Sequence, residues 1–224
     1  MPPKVSIVVF AKDEENTLGE VLGAVKGKAS ELIVMDGHSK DRTPEIALSH
    51  GAKLLCDSGR GKGAAQREAI EAVSGDIVVF MDADGSDDVA QWDALVAPII
   101  EGRADMVIGS RYSGGSDEIS VNFMQLFRTA GNIFINSVIN WRWDANLTDT
   151  LNCYRAIKTE VARGLGLVES SAAVEHEMVM KCLKRGFRVV NVPTHEYARK
   201  YGVSKISPWK IGHRFFLCLL KNIF

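Results

Sequence analysis

The sequence predicts an α/β domain built on a mostly parallel central sheet flanked by helices, and three observations predict it. Short β-rich runs alternate with helical patterns through the first half of the 224 residues. The run Ile77, Val78, Val79, Phe80 is apolar without a break, as a strand covered on both faces requires. Polar fragments rich in carboxylates follow directly after several of these runs, where open α/β sheets hold their ligands.

The elements follow in order. Val5 to Phe10 reads as a strand, Asn16 to Val25 as a helix and Leu32 to Met35 as a second strand. Thr43 to Ser49 is a short helix, Lys53 to Cys56 a strand, Ala64 to Val73 a helix and Asp76 to Met81 a strand. Val89 to Ile100 forms another helix before the strand Met106 to Ile108. From Ile119 to Asn140 the polar residues Asn122, Gln125, Arg128, Asn132, Asn136 and Asn140 recur every three or four positions among apolar ones. This spacing predicts one long or broken amphipathic helix that packs on the sheet or touches lipid. Asn152 to Ile157 is a further strand. Ser171 to Arg185 is a helix ending at Gly186 with Lys184 and Arg185 in its last turn. Phe187 to Val192 is the final strand, and the tail beginning at Pro208 reads as a docking helix or an interfacial anchor.

Bulk properties remove several function classes. Lys plus Arg number 27 against 28 Asp plus Glu, so no global basic field draws the chain to nucleic acid. Cys56, Cys153, Cys182 and Cys218 form no close pair, which fits reduced core thiols in a cytosolic protein. No apolar stretch reaches the roughly 18 to 20 residues that span a bilayer, and no signal-peptide pattern precedes the first strand. The five histidines are scattered and give no zinc-ligand spacing.

The strongest chemical feature is Asp82-Ala83-Asp84-Gly85-Ser86-Asp87-Asp88 after the apolar strand. A spacing of two on extended backbone lets Asp82 and Asp84 lean the same way. Carboxylates held that close repel unless a cation compensates, and a hard divalent ion would do so while leaving positions for a diphosphate. The competing reading is that Asp87 and Asp88 cap the next helix. A second fragment, Asp36 to Thr43, offers Asp36 to a base or ribose, with Asp41 or Thr43 as helix caps. A third, Gly59-Arg60-Gly61-Lys62-Gly63, has flexible glycines and two cations but lacks the spacing of a nucleoside triphosphate loop.

Asp13-Glu14-Glu15-Asn16, Asp36-Gly37-x-Ser39-x-Asp41-x-Thr43, Gly61-Lys62-Gly63-Ala64-Ala65, Gly75-Asp76 and Asp82-x-Asp84 together resemble family 2 of the inverting glycosyltransferases, with the nucleotide-diphospho-sugar transferase (GT-A) fold. Within it the chain looks most like dolichol-phosphate mannosyltransferase and related polyprenyl-phosphate enzymes. Gly109 to Tyr112, Arg128 with Gly131-Asn132, Thr148-Asp149, Asn152 to Arg155, Glu175 to Met178 and Arg199 to Lys205 carry that likeness. Ser86 stands where the subgroup pattern has glutamine, and Gly37-His38 where an Asp-Gly pair is common, which leaves guanine and uracil both open.

The resemblance implies transfer of a hexosyl group from a nucleoside diphosphate sugar, GDP-mannose first, to a polyprenyl or dolichyl phosphate. A UDP-sugar donor, a soluble alcohol or glycan acceptor, and a non-catalytic nucleotide-sugar-binding protein are the alternatives. Carried onto this chain, it implies that Asp13, Glu15, Asp36, Ser39 and Lys62 hold the donor, and that Asp82 and Asp84 hold Mg²⁺ or Mn²⁺. Arg111, Arg128, Arg199 and Lys205 are expected around the phosphates, and Asp149 or Glu177 would take the proton of an alcohol acceptor or else orient an arginine. One domain of residues 1–207 is expected, its donor half ending near residue 112 and its acceptor half spanning 113–207, followed by a surface helix over 208–224. The implied setting is peripheral, on the cytoplasmic face of a membrane, as a homo-oligomer or beside a separate membrane anchor.

Overall fold

A computed structural model describes residues 2–117, 123–201 and 208–224, leaving aside the side chains of 123–128 and 208–211. Seven strands form one sheet: β1 (Val5–Ala11), β2 (Glu31–Asp36), β3 (Lys53–Cys56), β4 (Ile77–Asp82), β5 (Met106–Ser110), β6 (Arg155–Lys158) and β7 (Val189–Pro193). Their order is β3-β2-β1-β4-β6-β5-β7. The pairs β1–β2, β1–β4, β2–β3 and β5–β7 are parallel, whereas β6 runs antiparallel to both β4 and β5.

The helices are α1 (Leu18–Val25), α2 (Thr43–Ser49), α3 (Lys62–Ala72), α4 (Trp92–Ile100), α5 (Arg111–Gly114), α6 (Phe123–Trp143), α7 (Thr159–Gly164), α8 (Val174–Lys184) and α9 (Pro208–Asn222). Thr43–Ser49 and Lys53–Cys56 form with the bounds read from the sequence. The expected helix from Val89 opens instead as a 3-10 turn, Val89–Gln91, with Asp88 accepting from the Ala90 amide at 3.0 Å. The expected strand from Asn152 starts only at Arg155, because Asn152 turns its amide onto the Gly109 carbonyl at 2.8 Å.

Alternation along the strands divides the interior in two. Ile7, Val9, Val79 and Met81 face a cluster shared with Leu18, Leu22, Trp92 and Leu95. Val8, Val78 and Phe80 face the opposite cluster, with Ala65, Ile70, Val174 and Met178. Both faces of β4 are therefore covered, which accounts for its unbroken apolar run. Phe80 is fully buried, and its truncation to alanine would cost about 3–5 kcal/mol.

The chain winds outward from β1 to β3 and then returns to the other side of β1 as β4. The strand order thus reverses between β1 and β4, and a ligand crevice belongs at their carboxyl ends. The parallel register sets Phe10 beside both Met35 and Asp82, so the three strand ends open at one level.

Candidate active site

A cleft of about 360 Å³ lies at that reversal. Phe10, Ala11 and Lys12 reach it from the end of β1, Met35 and Gly37 from β2, Asp57 and Gly59 from β3, and Asp82, Ala83 and Asp84 from β4. Asp82 and Asp84 face one space rather than turning apart into helix caps. Each meets a cation brought from elsewhere. Lys62 Nζ lies 3.0 Å from Asp82, and the Arg199 guanidinium lies 2.5 Å from Asp84. The other Asp84 oxygen accepts from the Ser86 amide at 3.0 Å and its hydroxyl at 2.7 Å, which fixes the turn beyond β4.

Asp87 is not a helix cap. Its carboxylate accepts from the Asp82 amide at 3.2 Å. Burial, followed by the charges of Asp82 and Asp84, pushes the Asp87 carboxyl well above the usual carboxylate range. Burial works against the Lys62 ammonium, yet Asp82, helped by Glu175, outweighs it and holds the lysine well above its ordinary pKa.

Close backbone approach puts Lys62 there. A Cβ on Gly63 would stand 2.2 Å from the Glu169 carbonyl oxygen, so only glycine lets the start of α3 press against the loop before α8. Gly61, with φ of 104°, would likewise meet the Ser170 carbonyl at 2.6 Å.

The first two loops are stitched together by the residues expected to hold the donor. Asp13 donates its amide to Ser39 Oγ and accepts from the Lys40 amide, both at 2.8 Å. Glu15 accepts from the Arg42 amide at 3.2 Å, and the buried Asp36 accepts from the Ser39 amide at 3.1 Å. These four shape the rim, while Lys12, Glu14 and His38, to which the sequence motifs assign no role, line the cleft itself. Cys56, expected among core thiols, is exposed, with Sγ 3.4 Å from His38 Nδ1 at the end of an edge strand; the other three cysteines are buried.

Arg111 and Asp149 form a two-point pair at 2.7 and 3.2 Å, and Arg111 also meets Glu196 at 3.2 Å. Burial alone would raise the Asp149 carboxyl, but the Arg111 charge and hydrogen bonds hold it below its usual range. Glu177 is fully buried and accepts from the Val168 and Glu169 amides, at 3.0 and 2.8 Å, while pairing with Lys181 at 2.7 Å. Neither Arg111, Asp149 nor Glu177 lines the cleft. The Arg128 side chain and Lys205 lie outside the described residues. Arg199 arrives on a segment strapped across the acidic turn, where the Tyr197 amide donates to the Ser86 carbonyl at 2.9 Å.

Among the described residues no group of three or more His, Cys, Asp or Glu side chains is arranged to hold a metal ion. Two carboxylates facing an open cleft fit instead an ion such as Mg²⁺ or Mn²⁺ that takes one or two protein oxygens and completes its shell with phosphate and water.

Comparison with known proteins adds to this geometry. The family model described as glycosyl transferase family 2 matches residues 6–166. Glycosyltransferase AglJ of Haloferax volcanii is 30% identical over 224 residues, covering 99% of this chain and 72% of that protein. A dolichyl-phosphate hexose transferase of the same organism is 28% identical over 212 residues, covering 93% and 89%. Glucosyl-3-phosphoglycerate synthase from Mycobacterium tuberculosis, crystallised with Mn²⁺ and UDP-glucose, is similar with a TM-score of 0.74 at 22% identity, covering 99% of this chain and 79% of that one. At that identity the likeness establishes the GT-A α/β fold alone.

Proposed function

The chain belongs to glycosyl transferase family 2 and is a glycosyltransferase, and from that premise we propose that it moves a hexosyl group from a UDP-sugar to the phosphate of a polyprenyl carrier, inverting the anomeric centre. The observation that carries the reading is the shared cleft of Asp82 and Asp84 at the sheet reversal, with Lys62 and Arg199 beside them. Asp82 and Asp84 would hold Mg²⁺ or Mn²⁺, which when bound neutralises charge on the departing diphosphate. Lys12 and Lys62 line the cleft and would meet phosphate oxygens, and the rim built by Asp13, Glu15, Asp36 and Ser39 would shape the nucleoside end.

UDP takes the place of the GDP-mannose expected from sequence, because the similar synthase binds UDP-glucose with Mn²⁺. The lipid acceptor is supported by the likeness to the dolichyl-phosphate hexose transferase. A phosphate acceptor is already an oxyanion near neutral pH, so no strong general base is required. That suits an Asp149 whose oxygens are engaged by Arg111. Arg199, with Arg128 and Lys205, would face the acceptor phosphate. On this reading residues 1–112 serve the donor and 113–207 the acceptor.

The tail helix supports approach to a membrane surface. Cys218, Leu219 and Ile223 of the C-terminal segment pack inward, while Phe216, Leu217 and Leu220 are exposed near Arg214 and Lys221. Ile133, Phe134 and Trp141 of α6 are exposed as well. Among the described residues no helix is long and apolar enough to cross a bilayer. We assign these faces to the cytoplasmic leaflet, where the lipid tail stays in the bilayer and only its phosphate enters the cleft.

A second reading, transfer to a small phosphorylated acid, is favoured by the complex of the similar synthase with phosphoglyceric acid. One matrix separates them: UDP- and GDP-hexoses against a short polyprenyl phosphate or 3-phosphoglycerate, with Mg²⁺, Mn²⁺ or chelator, reading released nucleoside diphosphate. The expected result is metal-dependent UDP release with the lipid phosphate. Release only with 3-phosphoglycerate selects the second reading, and turnover that survives the chelator counts against the metal centre.

A further inference from the structure

The ion pairing behind Asp82 does not stop at Lys62. The same ammonium lies 3.6 Å from Glu175 at the start of α8, and Glu175 meets the Arg155 guanidinium of β6 at 2.8 Å. Arg155 and Glu175 are 0% and 1% exposed. Burying two such charges is costly, and a well-packed apolar pair would serve stability as well or better. Arg155 is tied down independently by the carbonyls of Asn152, Thr150 and Glu175, at 2.9, 3.2 and 3.0 Å. Neither Glu175 carboxylate oxygen has a well-formed hydrogen bond. Glu175 is thus held by charge on one side and has capacity left on the side that faces Lys62. The two carboxylates stand on either hand of one flexible lysine stem, at 3.0 and 3.6 Å.

We propose that Glu175 is a positioning residue that receives the Lys62 ammonium when a divalent cation takes Asp82, so that the cleft loads by exchanging one cation for another. This rests on the reading of Asp82 and Asp84 as metal-binding carboxylates. Before loading, Lys62 compensates Asp82 and limits its repulsion with Asp84. An arriving cation must displace it, and a displaced lysine with no second partner would be stranded as a half-buried charge. Glu175 removes that penalty, and Arg155, at 2.8 Å, holds Glu175 in place. No covalent bond changes in the exchange.

The test is Mn²⁺ binding to the full chain, measured by calorimetry with and without UDP. Lys62→Met should raise nucleotide-free Mn²⁺ affinity about tenfold and Glu175→Gln should lower it about tenfold, within the coupling range of contacting residues. The Glu175→Gln loss should vanish in the Lys62→Met background, because no ammonium remains to be received. An equal loss in that background would mark Glu175 as merely structural and overturn the exchange, as would an unchanged affinity in Lys62→Met. If Glu175→Gln does not fold with Arg155 uncompensated, Glu175→Gln with Arg155→Met carries the same expectation. Wild-type protein that binds no Mn²⁺ even with UDP sinks the metal reading and the exchange together. Binding by wild type alongside an indifferent Lys62→Met removes the exchange alone.

Discussion

Asp149→Asn tests what the buried carboxylate beside Arg111 does. The substitution keeps the shape and removes the charge. Asp149 is 0% exposed and grips Arg111 at 2.7 and 3.2 Å, while also accepting from the Leu151 amide at 3.1 Å. Without it Arg111 keeps Glu196 at 3.2 Å, so the guanidinium is only partly compensated. Breaking a buried pair costs about 3–5 kcal/mol, and the retained Glu196 places this case at about 3. At about 2–4 °C per kcal/mol for a chain of this size, the thermal midpoint should fall by about 6–12 °C. Arg111→Met combined with Asp149→Asn should recover more than half of that, because no lone charge is left. Urea and thermal unfolding followed by the same optical probe measure both variants. The acid limb carries the sign: a carboxyl depressed in the folded state stabilises above its unfolded pKa, near 3.9, and that stability is lost as pH falls toward the folded value. Asp149→Asn should therefore flatten the loss below about pH 4. With polyprenyl phosphate its kcat/KM should fall while the pH profile keeps its shape. Destabilisation under about 1 kcal/mol, or a double variant no better than the single one, would refute the pairing argument. A vanished limb in the pH profile would instead make Asp149 a proton acceptor.

Three further outcomes follow from the geometry. Gly63→Ala forces a Cβ to 2.2 Å from the Glu169 oxygen, so chemical denaturation should show a loss of at least about 2 kcal/mol and donor binding should weaken as the start of α3 shifts and carries Lys62 out of the cleft. Asp84→Asn should cut transfer by at least about a hundredfold while the thermal midpoint moves by less than about 4 °C, since the amide oxygen can still accept from Ser86; normal turnover would count against the metal centre. Burial alone would raise Asp105, but hydrogen bonds from Lys158 and Arg188 bring its pKa down to about 2, so its stabilising effect is present above about pH 4 and disappears toward pH 2. Asp105→Asn should lower stability at pH 7 and remove that part of the acid limb, as titration of the unfolding midpoint would record.

Much of the sheet could be read from the chain because its signals are local. Short apolar runs and the turn residues between them mark β1 to β4, and an apolar strand ending in Asp82 is a feature of a few adjacent positions. What escaped depends on pairing at long range. β6 is short, and its antiparallel place between β4 and β5 is decided by distant partners, as the registers of Met106 with Ile157 and Ile77 with Lys158 require. The four-residue α5 and six-residue α7 are too brief to show a helical period.

The site divides along the same line, and the division explains its electrostatics. Asp36 and Asp82 were legible because each is the last residue of a strand, and Asp84 because it follows two positions later. Their compensation was not, since Lys62 comes from the start of a helix, Arg199 from the strap after β7, and Glu175 from α8. Only folding sets Lys62 against Asp82 and Arg199 against Asp84, so the sequence shows a surplus of carboxylates where the structure shows the central two each paired. Asp87 stands beside the pair, its carboxyl raised first by burial and then by the charges of Asp82 and Asp84. A site poised in this way favours a divalent ion that arrives with a diphosphate over one that arrives alone, because the pair changes the net charge least while releasing Lys62 and Arg199 to new partners. Mn²⁺ affinity should therefore rise with UDP more steeply in the wild type than in Lys62→Met, and equal enhancement in the two would show that the resident lysine plays no part in loading.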